Sequence, residues 1–157
     1  MRLKGALAGM ILAGAAMGQA AWAACSDGTV SLRGDWGQLR FSVDVADDDA
    51  SRSRGLMFVE EMARSAGMLF VFDPPRSVSF WMKNTLIPLD MIFTDRTGTV
   101  VRVHSNAIPG DLTGIPGGEG IYTVLEINGG LAERYGIAPG SQMQHPVYGD
   151  QAAWPCE

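Results

Sequence analysis

Leu89-Asp90-Met91-Ile92-Phe93-Thr94, then Asp95-Arg96-Thr97-Gly98, then Thr99-Val100-Val101-Arg102-Val103-His104, is the stretch from which the fold is read. Two runs rich in β-branched and aromatic residues flank a short polar turn, and Gly98 supplies the positive φ that such a turn demands. The segment is a β-hairpin. Upstream, Leu39, Phe41, Val43 and Val45 alternate with Arg40, Ser42 and Asp44, the period of a half-buried strand. Asp47-Asp48-Asp49 then offers N-cap chemistry and negative charge at the positive end of a helix over Ala50–Met57. Met68–Phe72 and Ser77–Met82 are apolar runs on either side of Asp73-Pro74-Pro75-Arg76, which predicts two strands joined by a proline turn.

Downstream, Asn106–Gly120 holds so many glycines and prolines that it predicts a long irregular loop, a kind of segment that often carries function. Ile121–Ile127 reads as a strand, Gly129–Tyr135 as a helix closed by Gly136 in a left-handed cap, and Gln142–Val147 as a last strand. Six or seven strands and two short helices define a mainly β fold, a small β-sandwich or a partly open barrel. The alternative is α+β, with both helices packed on one face of a single sheet.

The 157 residues are 46% hydrophobic and 18% charged, a composition that excludes disorder and a membrane bundle. Arg2 and Lys4 precede the apolar run Gly5–Gly18, and Ala21-Trp22-Ala23 offers a cleavage site, so residues 1–23 form a secretory signal peptide and 24–157 a single domain. Cleavage removes two cations and no acid, taking the net charge from −5 to −7. Nucleic acid is thereby disfavoured as a partner, since neutralising phosphates needs a cationic face. No later stretch approaches the ~20 apolar residues of a spanning helix. The expected location is periplasmic or secreted. There, the two cysteines, Cys25 and Cys156, are expected to join end to end. Lipidation of Cys25 is the competing account, against which stands the bulky Trp22 in the cleavage region.

The densest unusual segment is Phe80-Trp81-Met82-Lys83-Asn84-Thr85. Lys83 is the sole lysine after cleavage, and beside Trp81 and Asn84 it suits an anionic ligand; the plain alternative is a solvated lysine at a strand end. Asp90 and Glu126 each interrupt an apolar run, where an ionised carboxylate needs a partner unless strand alternation turns it to solvent. His104 and Asp111 complete the candidate set. No histidine has another ligand residue at metal-binding spacing, and the methionines are not clustered as a copper site would need, so no metal or other cofactor is expected. No G-x-S-x-G elbow or phosphate-binding loop is present.

Arg54-Gly55-Leu56-Met57, Gly67–Phe72, the run from Phe80 through Trp81-Met82-Lys83-Asn84-Thr85-Leu86-Ile87-Pro88-Leu89-Asp90 to Phe93, and Val124-Leu125-Glu126 with Gly130 and Gly136-Ile137 together resemble domain of unknown function family 192. The resemblance spans about Leu39 to Val147 and leaves the cysteines outside. It implies a small, mostly exported, β-rich domain of undetermined activity and lends no catalytic residue. Three functions compete: a non-enzymatic module binding a small anionic ligand or an envelope protein, an enzyme whose acid–base site is built around Lys83 and Asp90, and a structural envelope protein without a pocket.

Overall fold

The structure, a computed structural model, describes residues 25–156; the expected signal peptide lies outside them. Seven strands form one sheet: β1 (Thr29–Gly34), β2 (Gly37–Ala46), β3 (Ala66–Phe80), β4 (Leu89–Thr94), β5 (Val100–Ala107), β6 (Ile115–Asn128) and β7 (Gln142–Gln144). They lie in the order β5-β4-β6-β3-β2-β1-β7, with β2 and β3 parallel and every other neighbouring pair antiparallel. The sheet curls until its two edge strands touch at one end. There Thr99 bridges Gln142, and the Val100 N–H donates to the Ser141 carbonyl at 2.8 Å. This is the partly open barrel among the expected architectures, and it is mainly β. Three short helices accompany it rather than two: α1 (Asp49–Arg54), α2 (Leu131–Tyr135) and a 3-10 turn over Pro146–Gln151.

The hairpin stands as read, with Gly98 at φ 80° and the Asp95 carboxylate accepting from the Thr97 and Thr99 N–H groups inside the turn. Asp48 caps α1, accepting from the Ala50 and Ser51 N–H groups, and Gly136 closes α2 in the left-handed conformation. Three segments differ from expectation. Residues 68–72 and 77–82 are not two strands about a reversal: Ala66–Phe80 is a single strand that stays antiparallel to β6 through register shifts between Val71 and Ser79. Pro74 and Pro75 lack N–H donors and interrupt the ladder, yet the chain continues because β6 still offers an edge beyond them. The glycine-rich segment is accordingly mostly strand, and only residues 108–114 remain loop. The last strand ends at Gln144 because Pro146 starts the 3-10 turn.

The sheet is covered on both faces. Leu69, Leu125 and Ile92 form one cross-strand rung against Val30, Leu32, Phe41 and Met143 in the barrel interior. Phe70, Val124 and Phe93, one residue on along each chain direction, form a rung on the opposite face with Ile121, Met82 and Leu56. The alternation that would turn Asp90 and Glu126 to solvent therefore fails: β4 is buried throughout, and both acids lie inside, with exposures of 0% and 4%. The chain ends are tied by the Cys25–Cys156 disulfide, with Cα atoms 5.7 Å apart. Among the described residues no helix is long and apolar enough to cross a membrane.

Candidate functional site

On the second face of the sheet, α1 and the segment after it stand away from the outer half of β3 and leave a cavity of about 660 Å³. Its floor is aromatic and aliphatic: Phe70 and Phe80 meet edge to face with centroids 5.1 Å apart, and Leu56, Met57 and Val78 complete it. Glu126 also lines it. The carboxyl sits on a rung between Met68 and Met91, and no described residue hydrogen-bonds to it. Burial with no compensating partner pushes its pKa up from an ordinary 4.5 to about 8, so it is a neutral acid at pH 7. A neutral carboxyl is both hydrogen-bond donor and acceptor.

Cations stand around this apolar floor. Arg52 is committed to the wall, donating to the Asp47 and Val71 carbonyls at 2.6 and 2.9 Å and pairing with Asp49. Arg54, Arg76 and Lys83 line the cavity without an ion-pair partner among the described residues. Arg76 lies over the Phe72 ring at 5.2 Å and Lys83 over the Trp81 ring at 5.0 Å, so aromatic faces hold the cationic heads in place. Phe58 and Asn84 both take left-handed backbone conformations, φ 65° and 55°, and the Phe58 N–H donates to the Asn84 carbonyl at 2.8 Å. Such strain in non-glycine residues persists only where surrounding structure imposes it, and here it stands beside Met57 and Lys83 at the mouth.

Of the residues singled out from the sequence, Trp81, Lys83 and Glu126 line the cavity, while Asn84 stands between the lining residues Lys83 and Thr85. Asp90 does not line it. Its carboxylate faces the barrel interior and accepts three backbone N–H groups, from Asn106 at 2.7 Å, Gly130 at 2.9 Å and Ala132 at 2.7 Å, tying β5 to the start of α2. Lys83 and Asp90 thus do not share a site. Asp111 is exposed and accepts from the Thr113 N–H at 2.8 Å, which holds its carboxyl below the usual range. His104 stands half-buried on the edge strand β5, opposite Met91.

Arg54 and Arg76 were not legible as site residues, because neither interrupts an apolar run. The available signal was the resemblance itself, since Arg54–Met57, Phe80–Thr85 and Glu126 belong to three separated segments that converge on this cavity. A second cavity, of about 570 Å³, includes Asp27, Asp47, Asp73 and His145 in its wall. There the His145 ring accepts from the Val147 N–H through Nδ1, so Nε2 donates to the Asp27 carbonyl at 2.9 Å and the ring is fully engaged. Among the described residues no cluster of three His, Cys, Asp or Glu side chains could hold a metal ion.

Fold and site define a curled-sheet β domain with a cavity of apolar floor, one buried acid and a cationic mouth. The chain belongs to domain of unknown function family 192, an uncharacterised ACR, whose family model matches residues 30–145. It is similar to a protein of unknown function from Novosphingobium aromaticivorans DSM 12444, 42% identical, with a TM-score of 0.72 over 73% of this chain and 82% of that one. It is also similar to a Sinorhizobium meliloti 1021 protein provisionally described as a transcription regulator, 36% identical, with a TM-score of 0.75 over 80% of this chain and 98% of that one. Among curated proteins there is no match.

Proposed function

We propose that the domain is an exported, non-enzymatic binding module for a small amphipathic anion, held with its apolar body in the chamber and its charge at the mouth. The observation that carries this reading is the Glu126 carboxyl, buried without a protein partner on a cavity wall. Its carboxyl opens onto the cavity, where a ligand with a hydrogen-bonding group at its inner end would meet it. Arg54, Arg76 and Lys83 would hold a carboxylate or phosphate at the outer end. Export is supported by the charged start, apolar run and A-x-A site of residues 1–23, together with a disulfide that an oxidising compartment sustains.

Thermal-shift and calorimetric titrations with octanoate and phenyl phosphate, on wild type, Lys83→Met and Glu126→Gln, test the binding reading. Binding should weaken in both variants, by about tenfold for Lys83→Met. Equal responses from all three proteins would remove the chamber from consideration. Mass spectrometry of protein recovered from the periplasm should give an N-terminus at Ala24; a mass retaining Met1 would remove export.

The raised pKa of Glu126 also suits a general acid, which supports an enzymatic second reading centred on Glu126 rather than on a Lys83–Asp90 pair. Turnover of a bound ligand, lost in Glu126→Gln with binding retained, would favour it. Nucleic-acid binding, suggested by the description of the S. meliloti protein, has the net charge of −5 against it.

A further inference from the structure

We infer that the loops around the cavity mouth form a docking surface for an anionic lipid leaflet. Five large apolar side chains, Phe58, Trp81, Leu86, Ile108 and Leu112, are between 50% and 67% exposed. They sit on three loops that are joined by backbone hydrogen bonds near Met82. The Phe58 N–H donates to the Asn84 carbonyl at 2.8 Å, the Met82 N–H to the Asp111 carbonyl at 2.8 Å, and the Gly110 N–H to the Met82 carbonyl at 3.0 Å. Among the described residues the other exposed large hydrophobic is Val101, at 44%, on the edge strand β5. Clustering at one end of the sheet is therefore a property of the fold rather than the ordinary scatter of surface apolar residues.

Phe58 adds an independent observation. A bulky residue in the left-handed region is held there at a cost, and the ring it carries is 67% exposed. Protein stability gains nothing from that presentation, whereas an apolar environment outside the molecule would bury the ring.

Charge selects lipid as the occupant. The chain is acidic overall, yet Arg54, Arg76 and Lys83 at the mouth have no ion-pair partner among the described residues. The acids of the same loops, Glu60, Glu61 and Asp111, are exposed, as are all three of those cations, Arg54, Arg76 and Lys83. Lys83 over the Trp81 ring combines an amphipathic ring with a cation on a flexible stem, the pairing that a membrane–water interface accommodates. Side chains separated by polar residues along three loops can enter a fluid apolar layer independently, without the fixed complementarity a protein partner requires.

Flotation of the disulfide-bonded mature protein with vesicles tests this surface. Vesicles of phosphatidylglycerol and phosphatidylethanolamine in equal parts should carry the protein upward, phosphatidylcholine vesicles should not, and added salt should weaken the association. Phe58→Asn combined with Ile108→Ser should cut the bound fraction by about tenfold with an unchanged melting temperature, because both side chains are exposed and asparagine tolerates the left-handed conformation. Val101→Ser, away from these loops, should float as wild type does. Glu126→Gln should also float normally, so failure of the binding module would leave this result standing. The inference is overturned if no vesicle retains the protein, if the double variant floats equally well, or if the same variant instead abolishes a dimer of this chain.

Discussion

Glu126 and Asp90 are two carboxyls in apolar strands that the fold treats oppositely. Asp90 accepts three backbone N–H groups. Asp90→Ala should leave those donors unsatisfied and lower unfolding stability by about 3 kcal/mol or more, seen as a fall in the urea midpoint. Glu126 has no such donors and stays protonated. Its folded pKa of about 8 lies above its ordinary 4.5, so between those values the folded state binds more protons than the unfolded chain. Stability from this group is fully present below pH 4.5 and is lost as pH rises to about 8. Glu126→Gln should flatten that slope and, near pH 8, raise stability by up to about 3 kcal/mol, measured as the pH dependence of the urea midpoint. An unchanged slope in the variant would show that Glu126 is not the titrating group. The sequence marked both residues as anomalous for their surroundings, but which one has backbone donors within reach depends on α2 and β5, 16 to 42 residues away in the chain.

At the scale of elements, the irregular β3–β6 pair makes the site possible. Past the proline bulge, β3 carries Arg76, Val78 and Phe80 along the cavity while remaining paired to the glycine-rich start of β6. Gly117 is required there: a Cβ would lie 2.5 Å from the Phe93 ring and 2.7 Å from a Val78 methyl. Gly117→Ala should therefore destabilise by about 1–3 kcal/mol, with a lowered melting temperature. A neutral outcome would mean that the Phe93 ring can shift without loss. Local sequence read this region as turn and loop because prolines and glycines ordinarily end strands. The pairing that overrides them joins residues about 35 to 50 apart in the chain, and no local window contains both partners.

For the whole molecule, the terminal disulfide closes nearly the entire domain into one loop, with 131 residues of sequence separation. It also fixes a C-terminal tail that lies on the barrel through the Ala153 N–H to the Thr97 carbonyl, the Gln144 amide to the Pro155 carbonyl, and Arg33 against the Trp154 ring. Reduction should lower stability by about 5 kcal/mol in the chain-entropy account, with the sheet retained because its core is independent of the bond. Denaturant titration with and without reductant, followed by circular dichroism, measures both; equal midpoints would show that the tail contacts alone suffice.

Composition and pattern alone determined a mainly β fold, its β4–β5 hairpin, both helix caps and the end-to-end cysteine pair. These follow from period-two alternation, turn chemistry and the cysteine count, all properties of short segments or of simple counts. Tertiary structure decided the rest. That β1 takes its place beside β7, that β3 continues through its prolines, and that Arg54, Lys83 and Glu126 surround one chamber depend on contacts between distant segments. Covering both faces of the sheet removed the solvent side on which alternation reasoning relies. The same two acids that a one-sided sheet would expose are thereby buried, one satisfied by the backbone and one facing the cavity.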